Sequence, residues 1–374
     1  MKKKLAIICA DKEQIDLVNK AKEMGIETHC FSWDKEGYNH CKGIADYFHP
    51  ISIIEKEQIL EKCRKINIDG ITSIRIDYAV PTVAFVAQNM GLPGNRYDDM
   101  ITALSKHTMR QAFYQHGVKT PRFVIARKDV DLYGFRYPVI VKAVDRNSSE
   151  GVIKVECEKD LQDAVNDALN ASICKEAIIE EFITGVIASV DTISYCGKHY
   201  IITTKDNDHG KSDNLFQLLG RHYPSSLDSE IQEKMKAETI KALDAINFMN
   251  GVCNMQFIVT EKGEVFSLEP TPRLESNFGA LCIKLSNGYD VIKGVIDVAM
   301  GQFKEPVFEE KKYSGFYYFC KETEWVKKVI ENKKNDIDII RAEFEDVKNP
   351  NLGEGRLGYF IYQSKQRRHW NSDK

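Results

Sequence analysis

An acid and an amide lie opposite each other in a predicted β-hairpin. The residues on either side of Lys262 and Gly263 alternate apolar and polar side chains, and these two residues are typical of a tight turn. With them as the loop, Gln256 pairs with Glu269, and both side chains share one face. Amide and carboxylate oxygens suit a hard cation such as magnesium. A solvent-facing side of an edge hairpin is the alternative interpretation.

The same pairing predicts the buried face of the hairpin. Four apolar side chains share it: Phe257, Val259, Phe266 and Leu268. The chain then continues as Glu269-Pro270-Thr271-Pro272-Arg273. Two prolines in four residues predict that the strand stops at Glu269. An acid, a hydroxyl and an arginine therefore emerge together at a strand end, which suits metal-bound phosphates with a cation nearby.

Two further candidates lie in apolar strands. Lys142, inside an apolar run, needs an anionic partner or an exit to water. The small polar residues 145–151 after it can fold over phosphates and donate backbone N–H groups, although their spacing is not that of a Walker loop. An ordinary hairpin loop beside a lysine that reaches water is the alternative. Backbone groups around Glu180 and Glu181 can read an adenine edge, although acidic pairs at strand ends are common.

The elements that position these residues change character along the chain. Strands and helices alternate up to about residue 90, which predicts a parallel sheet covered on both faces. The glycine- and proline-containing residues 91–95 interrupt this pattern. We therefore predict four units: an α/β domain at residues 1–95, a small subdomain at 96–175, a strand-rich large subdomain at 176–300 and a C-terminal extension at 301–374.

The composition is that of a globular protein without a charge bias. The 374 residues are 43% hydrophobic and 29% charged, with a formal net charge of -3, which argues against long disorder and a nucleic-acid footprint. Ten scattered cysteines show no zinc spacing and indicate a reducing compartment. The first apolar run is too short for an export signal or a membrane span. We expect a cytoplasmic protein with no membrane or nucleic-acid partner.

Taken in order, these residues resemble the ATP-grasp superfamily, and most closely the branch with carbamoyl-phosphate synthase, biotin carboxylase and related carboxylate–amine ligases. The similarity covers residues 1–300 and includes Ala45-Asp46 before one strand and Asp69-Gly70 before the next. It implies an α/β fold class: an N-terminal parallel-sheet pre-ATP-grasp domain, a two-subdomain ATP-grasp fold of α+β type, and a small C-terminal module packing on the grasp.

The resemblance also implies roles for individual residues. The phosphates of ATP would contact Lys106, Lys142, Ser148, Ser149 and Gly151. The adenine would lie against Glu180, Glu181, Phe182 and Ile183. The positions for magnesium, which manganese can replace, are Gln256, Glu269 and Thr271. The catalytic residues would be Arg273 and Lys142. The substrate would contact Arg221, His222, Arg273 and Asn277.

The implied activity is that of an ATP- and magnesium-dependent ligase forming C–N bonds. A carboxylate attacks the γ-phosphate, and an amine then attacks the acyl phosphate while Arg273 stabilises the oxyanion. The expected partners are a small-molecule carboxylate and an amine, and a homodimer is compatible with the resemblance. His222 is the candidate for a general base.

Two alternatives stay open. One is a bicarbonate-activating carboxylase or a carbamoyl-phosphate-synthase-like enzyme. The other is a degenerate nucleotide-binding sensor without turnover. Two departures from the family pattern keep the sensor open: Thr271 stands where asparagine is usual, and Ile187 stands where an acid binds ribose. The retained phosphate, metal and catalytic residues argue against it: Lys106, Lys142, Glu269 and Arg273.

Overall fold

Three β-sheets organise the chain. The computed structural model describes residues 2–127, 135–145, 152–210, 217–344, 355–368 and 370. The predicted phosphate-flap residues Ser148, Ser149 and Gly151 lie outside this described part. Among the described residues, none of the helices combines the length and the apolar character that crossing a bilayer requires.

A four-stranded parallel sheet forms the N-terminal unit. Its central strand is the first apolar run of the sequence, and helices bury it on both faces. The strand order is β3-β2-β1-β4, and every pair is parallel, so the predicted parallel sheet is confirmed. The elements are β1 (Lys4–Ile8), α1 (Ile15–Glu23), β2 (Glu27–Phe31), β3 (Tyr47–His49), α2 (Lys56–Ile66), β4 (Gly70–Thr72) and α3 (Val80–Met90).

A second, antiparallel sheet follows, in the order β5-β8-β6-β7. Its apolar side packs against α6, which presents Ala164, Val165 and Ala168 to the strands. The elements are α4 (Tyr97–Leu104), α5 (Lys106–Gln115), β5 (Phe123–Ala126), β6 (Val139–Ala143), β7 (Ile153–Val155), α6 (Leu161–Ala171) and β8 (Ala177–Glu181).

The largest sheet has eight strands in the order β13-β12-β9-β10-β11-β14-β16-β15. Its strands are β9 (Val186–Tyr195), β10 (Lys198–His209), β11 (Leu218–Tyr223), β12 (Gly251–Val259), β13 (Val265–Thr271), β14 (Tyr313–Phe319), β15 (Ile339–Phe344) and β16 (Gly358–Ser364). Its helices are α7 (Ser229–Ala245), α8 (Gly279–Asn287), α9 (Val291–Ala299) and α10 (Trp325–Glu331).

The C-terminal segment is part of this sheet. Strand β14 pairs antiparallel with β11, and β16 and β15 extend the sheet beyond it. A cluster of aromatic side chains from these strands and α10 is buried on one face, with Phe360 fully buried. The described part of the predicted extension at residues 301–374 is therefore continuous with the large sheet, whereas the boundaries of the four predicted units stay a prediction.

The β12–β13 hairpin differs from the predicted one near its turn. Thr260 and Glu264 close a three-residue loop, and a bulge shifts the register by one residue between Gln256 and Phe257. The Gln256–Glu269 pairing is as predicted, but the buried face was only half right. Phe257 and Val259 are buried with Val265 and Ser267, while Phe266 and Leu268 are only partly buried.

The prediction that strand β13 stops at Glu269 is wrong. The strand continues through Pro270 to Thr271, and Pro270 pairs with Met255. A proline is tolerated here because β13 is an edge strand, so the missing N–H breaks no bond to a further strand. Thr271 and Arg273 are thus positioned by the sheet itself.

The corrected hairpin register can be tested with two phenylalanines. Phe257→Ala removes a fully buried ring and is expected to lower the free energy of unfolding by about 3–5 kcal/mol, whereas Phe266→Ala, on the half-exposed face, costs much less. Urea midpoints followed by circular dichroism measure both. Equal losses would instead support the two-residue loop, which places both rings in the core.

Candidate active site

One polar cavity gathers most of the predicted site. It has a volume of about 460 Å³ and lies where the N-terminal unit, α4 and α5 meet the large sheet. Seven predicted residues line it: Lys106, Arg221, Gln256, Glu269, Thr271, Arg273 and Asn277. Residues from helix α5, strands β11, β12 and β13 and the loop after β13 are therefore brought to one place.

The predicted metal pair lies in this cavity. Gln256 and Glu269 are direct neighbours across β12 and β13, so both side chains lie on the same face. Lys106 begins α5, and its Nζ lies 3.9 Å from Oε2 of Glu269. Among the described residues, no three His, Cys, Asp or Glu side chains form a metal-binding group. An amide oxygen beside a carboxylate fits a cation that keeps water and phosphate ligands, as magnesium does.

The carboxylate of Glu180 lies buried between two cations. Lys142 Nζ contacts its Oε2 at 2.5 Å, and Arg110 Nε donates to its Oε1 at 2.6 Å. Burial raises the pKa of Glu180, but the charges of Arg110 and Lys142 outweigh this effect and lower the pKa from 4.5 to about 2. Glu180 is therefore ionised at neutral pH, and its predicted contact with adenine stays untested.

Arg110 also ties this ion pair to the metal pair. Its Nη1 donates to the carbonyl of Leu268, the residue immediately before Glu269. The arginine is 2% exposed. The sequence analysis gave Arg110 no role. A basic residue on the apolar face of α5, beside Met109, was the signal that could have identified it.

The predicted adenine segment continues from Glu180 to the end of β8. The backbone N–H of Glu181 donates to the carbonyl of Arg122, and the side chain of Glu181 accepts from the Arg122 N–H at 2.9 Å. Lys154 Nζ lies 4.3 Å from the centre of the Phe182 ring. Ile183 follows in a partly buried position. Backbone and ring are thus held in place at this end of the sheet.

The N-terminal unit reaches the cavity through Asp77. Arg273 donates to both of its carboxylate oxygens at 2.8 Å, in a bidentate pair. Asp77 follows β4, at the carboxyl end of the parallel sheet, where ligand sites of such sheets occur. Sequence reasoning missed Asp77, which lies 196 residues before Arg273.

A second buried carboxylate supports the substrate-side residues. Glu275 accepts from Arg221 Nη2 at 3.0 Å and from Lys205 Nζ, and Lys205 also contacts Asp191 at 2.8 Å. Burial raises the pKa of Glu275, but Arg221 and Lys205 lower it from 4.5 to about 2. The guanidinium of Arg221 is therefore fixed at the cavity wall.

His222 is a correction to the predicted substrate set. Neighbouring side chains of a strand point to opposite faces, so Arg221 faces the cavity and His222 does not. Its imidazole contacts Tyr362 at 2.9 Å and Asp208 at 3.2 Å on the other face of the large sheet. Asn277 does line the cavity, and its side-chain oxygen accepts from Tyr318.

Besides Asp77, three further polar cavity residues were not singled out from the sequence: His209, Gln217 and Arg356. Arg356 lies before β16, donates to the carbonyl of Leu218 at 2.8 Å and stacks 4.0 Å from the Tyr318 ring centre. The C-terminal segment thus contributes to the cavity wall. The alternation of side chains between the two faces of β10 and β11 was the sequence signal that could have identified His209.

Comparisons with known proteins agree with this geometry. Residues 103–277 match a family described as the ATP-grasp domain. The region contains Lys106, Lys142, Glu180, Gln256 and Glu269. The chain therefore contains an ATP-grasp domain, and the resemblance seen in the sequence is confirmed.

Individual relatives are distant. The chain is 26% identical to a D-alanine–D-alanine ligase of Trichlorobacter lovleyi over 191 residues, which are 48% of this chain and 59% of that ligase. The chain thus spans less than two thirds of this relative's length. An L-amino acid ligase from Bacillus licheniformis superposes with a TM-score of 0.78 at 20% identity, over 98% of this chain and 94% of that one.

A biotin carboxylase domain has the same fold. It belongs to the 2-oxoglutarate carboxylase of Hydrogenobacter thermophilus and superposes with a TM-score of 0.77 at 18% identity, over 98% of this chain and 87% of that one. That structure is a domain dimer in complex with MgADP, ADP and bicarbonate. The predicted fold class, a parallel N-terminal sheet followed by the grasp, is confirmed.

The buried Glu180 ion pair generates a prediction about stability. Glu180→Gln leaves Arg110 and Lys142 without their counter-charge and is expected to lower the free energy of unfolding by about 3–5 kcal/mol. The pKa of Glu180 in the folded state is lowered from 4.5 to about 2. The stability difference between wild type and Glu180→Gln is therefore largest near pH 7 and shrinks as the pH falls below 4.5. Thermal unfolding at several pH values measures it.

The adjacent Glu181 provides the control. It is partly exposed, and Glu181→Gln keeps an acceptor for the Arg122 N–H, so it should change stability by less than about 1 kcal/mol. Similar losses for both variants, or a loss for Glu180→Gln that does not depend on pH, would contradict the assigned ion pair.

Proposed function

We propose that this chain is an ATP- and magnesium-dependent ligase that activates a carboxylate as an acyl phosphate and joins it to an amine. The observation that carries the proposal is the single cavity that combines the Gln256–Glu269 pair with Lys106, Arg221 and Arg273. An oxygen pair for a metal beside three cations suits a triphosphate at one end and a carboxylate at the other.

The phosphate end is formed by α5 and the β12–β13 hairpin. Gln256 and Glu269 would hold the metal, with the hydroxyl of Thr271 beside them. A magnesium ion bound there would neutralise phosphate charge and orient the triphosphate. Lys106 at the start of α5 would contact a phosphate oxygen directly. Lys142, which is held by Glu180, would approach from the small sheet.

The adenine would lie at the end of β8. Its edge would be read by backbone groups of Glu181 and Ile183, and its face would stack near Phe182. Since the Glu181 N–H already donates to Arg122, the carbonyl is the group of Glu181 that would meet the adenine amino group. This assignment follows the predicted roles of these residues.

The carboxylate end is formed by Arg273 and Arg221. Asp77 fixes the plane of Arg273 and Glu275 fixes that of Arg221, so both guanidinium groups are positioned before a substrate arrives. A carboxylate held there would attack the γ-phosphate in line. Arg273 would then stabilise the negative charge that develops on the acyl oxygen when an amine attacks.

The relatives support this class of reaction. Two of them are described as a D-alanine–D-alanine ligase and an L-amino acid ligase. Amino acids are therefore the first substrates to test. The structure of the biotin carboxylase domain contains bicarbonate, so bicarbonate is included in the same test as an alternative acid.

An ADP-release assay tests the proposal. The chain is incubated with ATP and magnesium and with L- and D-amino acids in pairs, and separately with each acid and hydroxylamine. ADP release that needs both an acid and a nucleophile is expected. Release with bicarbonate as the acid would indicate a carboxylase instead. Nucleotide binding by calorimetry without ADP release under any condition would indicate a sensor.

The metal assignment generates a separate prediction. Glu269→Ala is expected to reduce ADP release at least about 100-fold, since losing even an outer-shell metal partner costs about 10–100-fold. It should also raise the magnesium concentration needed for half-maximal rate. The control is Glu264→Ala on the same hairpin, whose exposed ion pair with Lys119 contributes little. Unchanged turnover in Glu269→Ala would refute the metal site.

A further inference from the structure

His209 is the last residue of β10, beside the carboxylate end of the cavity. Lys205, Asn207 and His209 alternate along this strand and share one face, which is also the face of Arg221 across the strand pair. The register between β10 and β11 shifts by one residue between Asp208 and His209. Such irregularities re-aim side chains next to active sites, and His209 lines the cavity.

The hydrogen bond of His209 fixes which ring nitrogen carries the proton. Nδ1 lies 3.1 Å from the carbonyl oxygen of Asn207. A carbonyl oxygen only accepts, so Nδ1 must be the donor, and in the neutral ring Nε2 carries the lone pair. The imidazole is thus held in the tautomer that can take a proton at Nε2.

Burial keeps the His209 ring neutral. Burial lowers its pKa below the ordinary 6.5, and the nearby positive charge of Arg221 lowers the pKa further. The Asn207 carbonyl, Asp208 and Glu275 act in the opposite direction without outweighing burial. His209 is therefore unprotonated at neutral pH, as a general base requires.

The acidic groups at the cavity are committed to other partners. Asp77 is bound bidentately by Arg273, and Glu275 lies between Arg221 and Lys205 with a pKa of about 2. A carboxylate with so low a pKa is a poor proton acceptor. Glu269 belongs to the proposed metal pair. His222 contacts Tyr362 on the other face of the sheet.

We propose that Nε2 of His209 is the general base that accepts a proton from the attacking amine. The inference rests on the proposed ligase function. In this step the amine nitrogen forms a bond to the acyl carbon, and the bond from that carbon to the phosphate oxygen breaks. Phosphate leaves with the bonding electron pair, and the proton lost by nitrogen moves to His209, which becomes an imidazolium.

The step makes the two halves of the reaction differ in their need for His209. Formation of the acyl phosphate releases no proton from the amine and does not require the base. Amide formation from an amine does require it. Hydroxylamine, which is largely unprotonated at neutral pH, attacks an acyl phosphate without such help and yields a hydroxamate.

The test compares His209→Gln with wild type, using an acid that supports ADP release in the wild type. Hydroxylamine is the nucleophile in one reaction, and L- or D-alanine is the amine in the other. Glutamine keeps a donor for the Asn207 carbonyl but has no basic nitrogen. Amide formation is expected to fall about 100-fold or more, the range of general-base catalysis, while hydroxamate formation stays within about twofold. Preserved hydroxamate formation also shows that the variant is folded.

The pH profile and a matched histidine complete the test. With the alanine concentration expressed as its unprotonated amine, kcat/KM for amide formation in the wild type falls on the acid side below pH 6.5, and this limb should disappear in His209→Gln. The control is His199→Gln on the same strand, whose imidazole contacts Ser194 and Asp244 away from the cavity. It should leave both reactions and the limb unchanged.

Three outcomes would overturn the inference. The first is amide formation by His209→Gln at the wild-type rate with the acid limb intact. The second is an equal loss of amide and hydroxamate, which indicates a structural role. The third is loss of the limb in His222→Gln instead, which moves the base to the other face. Wild-type protein that makes neither product refutes the ligase proposal itself.

Discussion

The buried carboxylate of Glu180 organises the contact between the small antiparallel sheet, α5 and β13. It lies on β8 and accepts from Arg110 on α5 and Lys142 on β6, so three elements converge on one charge. Arg110 extends the contact to the carbonyl of Leu268 on β13. Burying an ion pair is unfavourable unless every charge is matched and hydrogen-bonded. This requirement fixes the distance between the small sheet and the strand that carries Glu269.

Glu275 has the same function on the substrate side. It joins Arg221 on β11 to Lys205 on β10, and Lys205 joins Asp191 on β9. Both carboxylates neutralise cations that would otherwise repel one another. The guanidinium groups of Arg221 and Arg273, which reach the cavity, are each held by a carboxylate, Glu275 and Asp77. The site is positioned before any ligand binds, which is the condition for catalysis by electrostatic preorganisation.

The units at the two ends of the chain both contribute to the cavity. Asp77 follows β4 of the N-terminal sheet and holds Arg273. Arg356 precedes β16 and lies over the ring of Tyr318. The C-terminal strands continue the large sheet from β11 through β14, so they are part of its core and not a separate layer. A substrate at the carboxylate end would therefore contact residues from the N-terminal unit, the grasp and the C-terminal strands.

The sequence determined the features that depend on local pattern. Alternation and a turn signal predicted that Gln256 lies opposite Glu269, because strand pairing has a period of two. The parallel N-terminal sheet followed from its alternating strands and helices. Lys106 at the start of a helix and Lys142 within a strand were predicted from the resemblance and their flanking residues.

The way distant residues combine depends on tertiary packing. The pairing of Asp77 with Arg273 joins positions 196 residues apart, and no local pattern records it. Whether His209 or His222 faces the cavity depends on which side of the large sheet packs against the other units. Because of the bulge beside Gln256, Val265 and not Phe266 lies in the core, since a single extra residue reverses the alternation of side chains along the strand. Local pattern fixes pairs of neighbours, whereas packing fixes which face becomes the site.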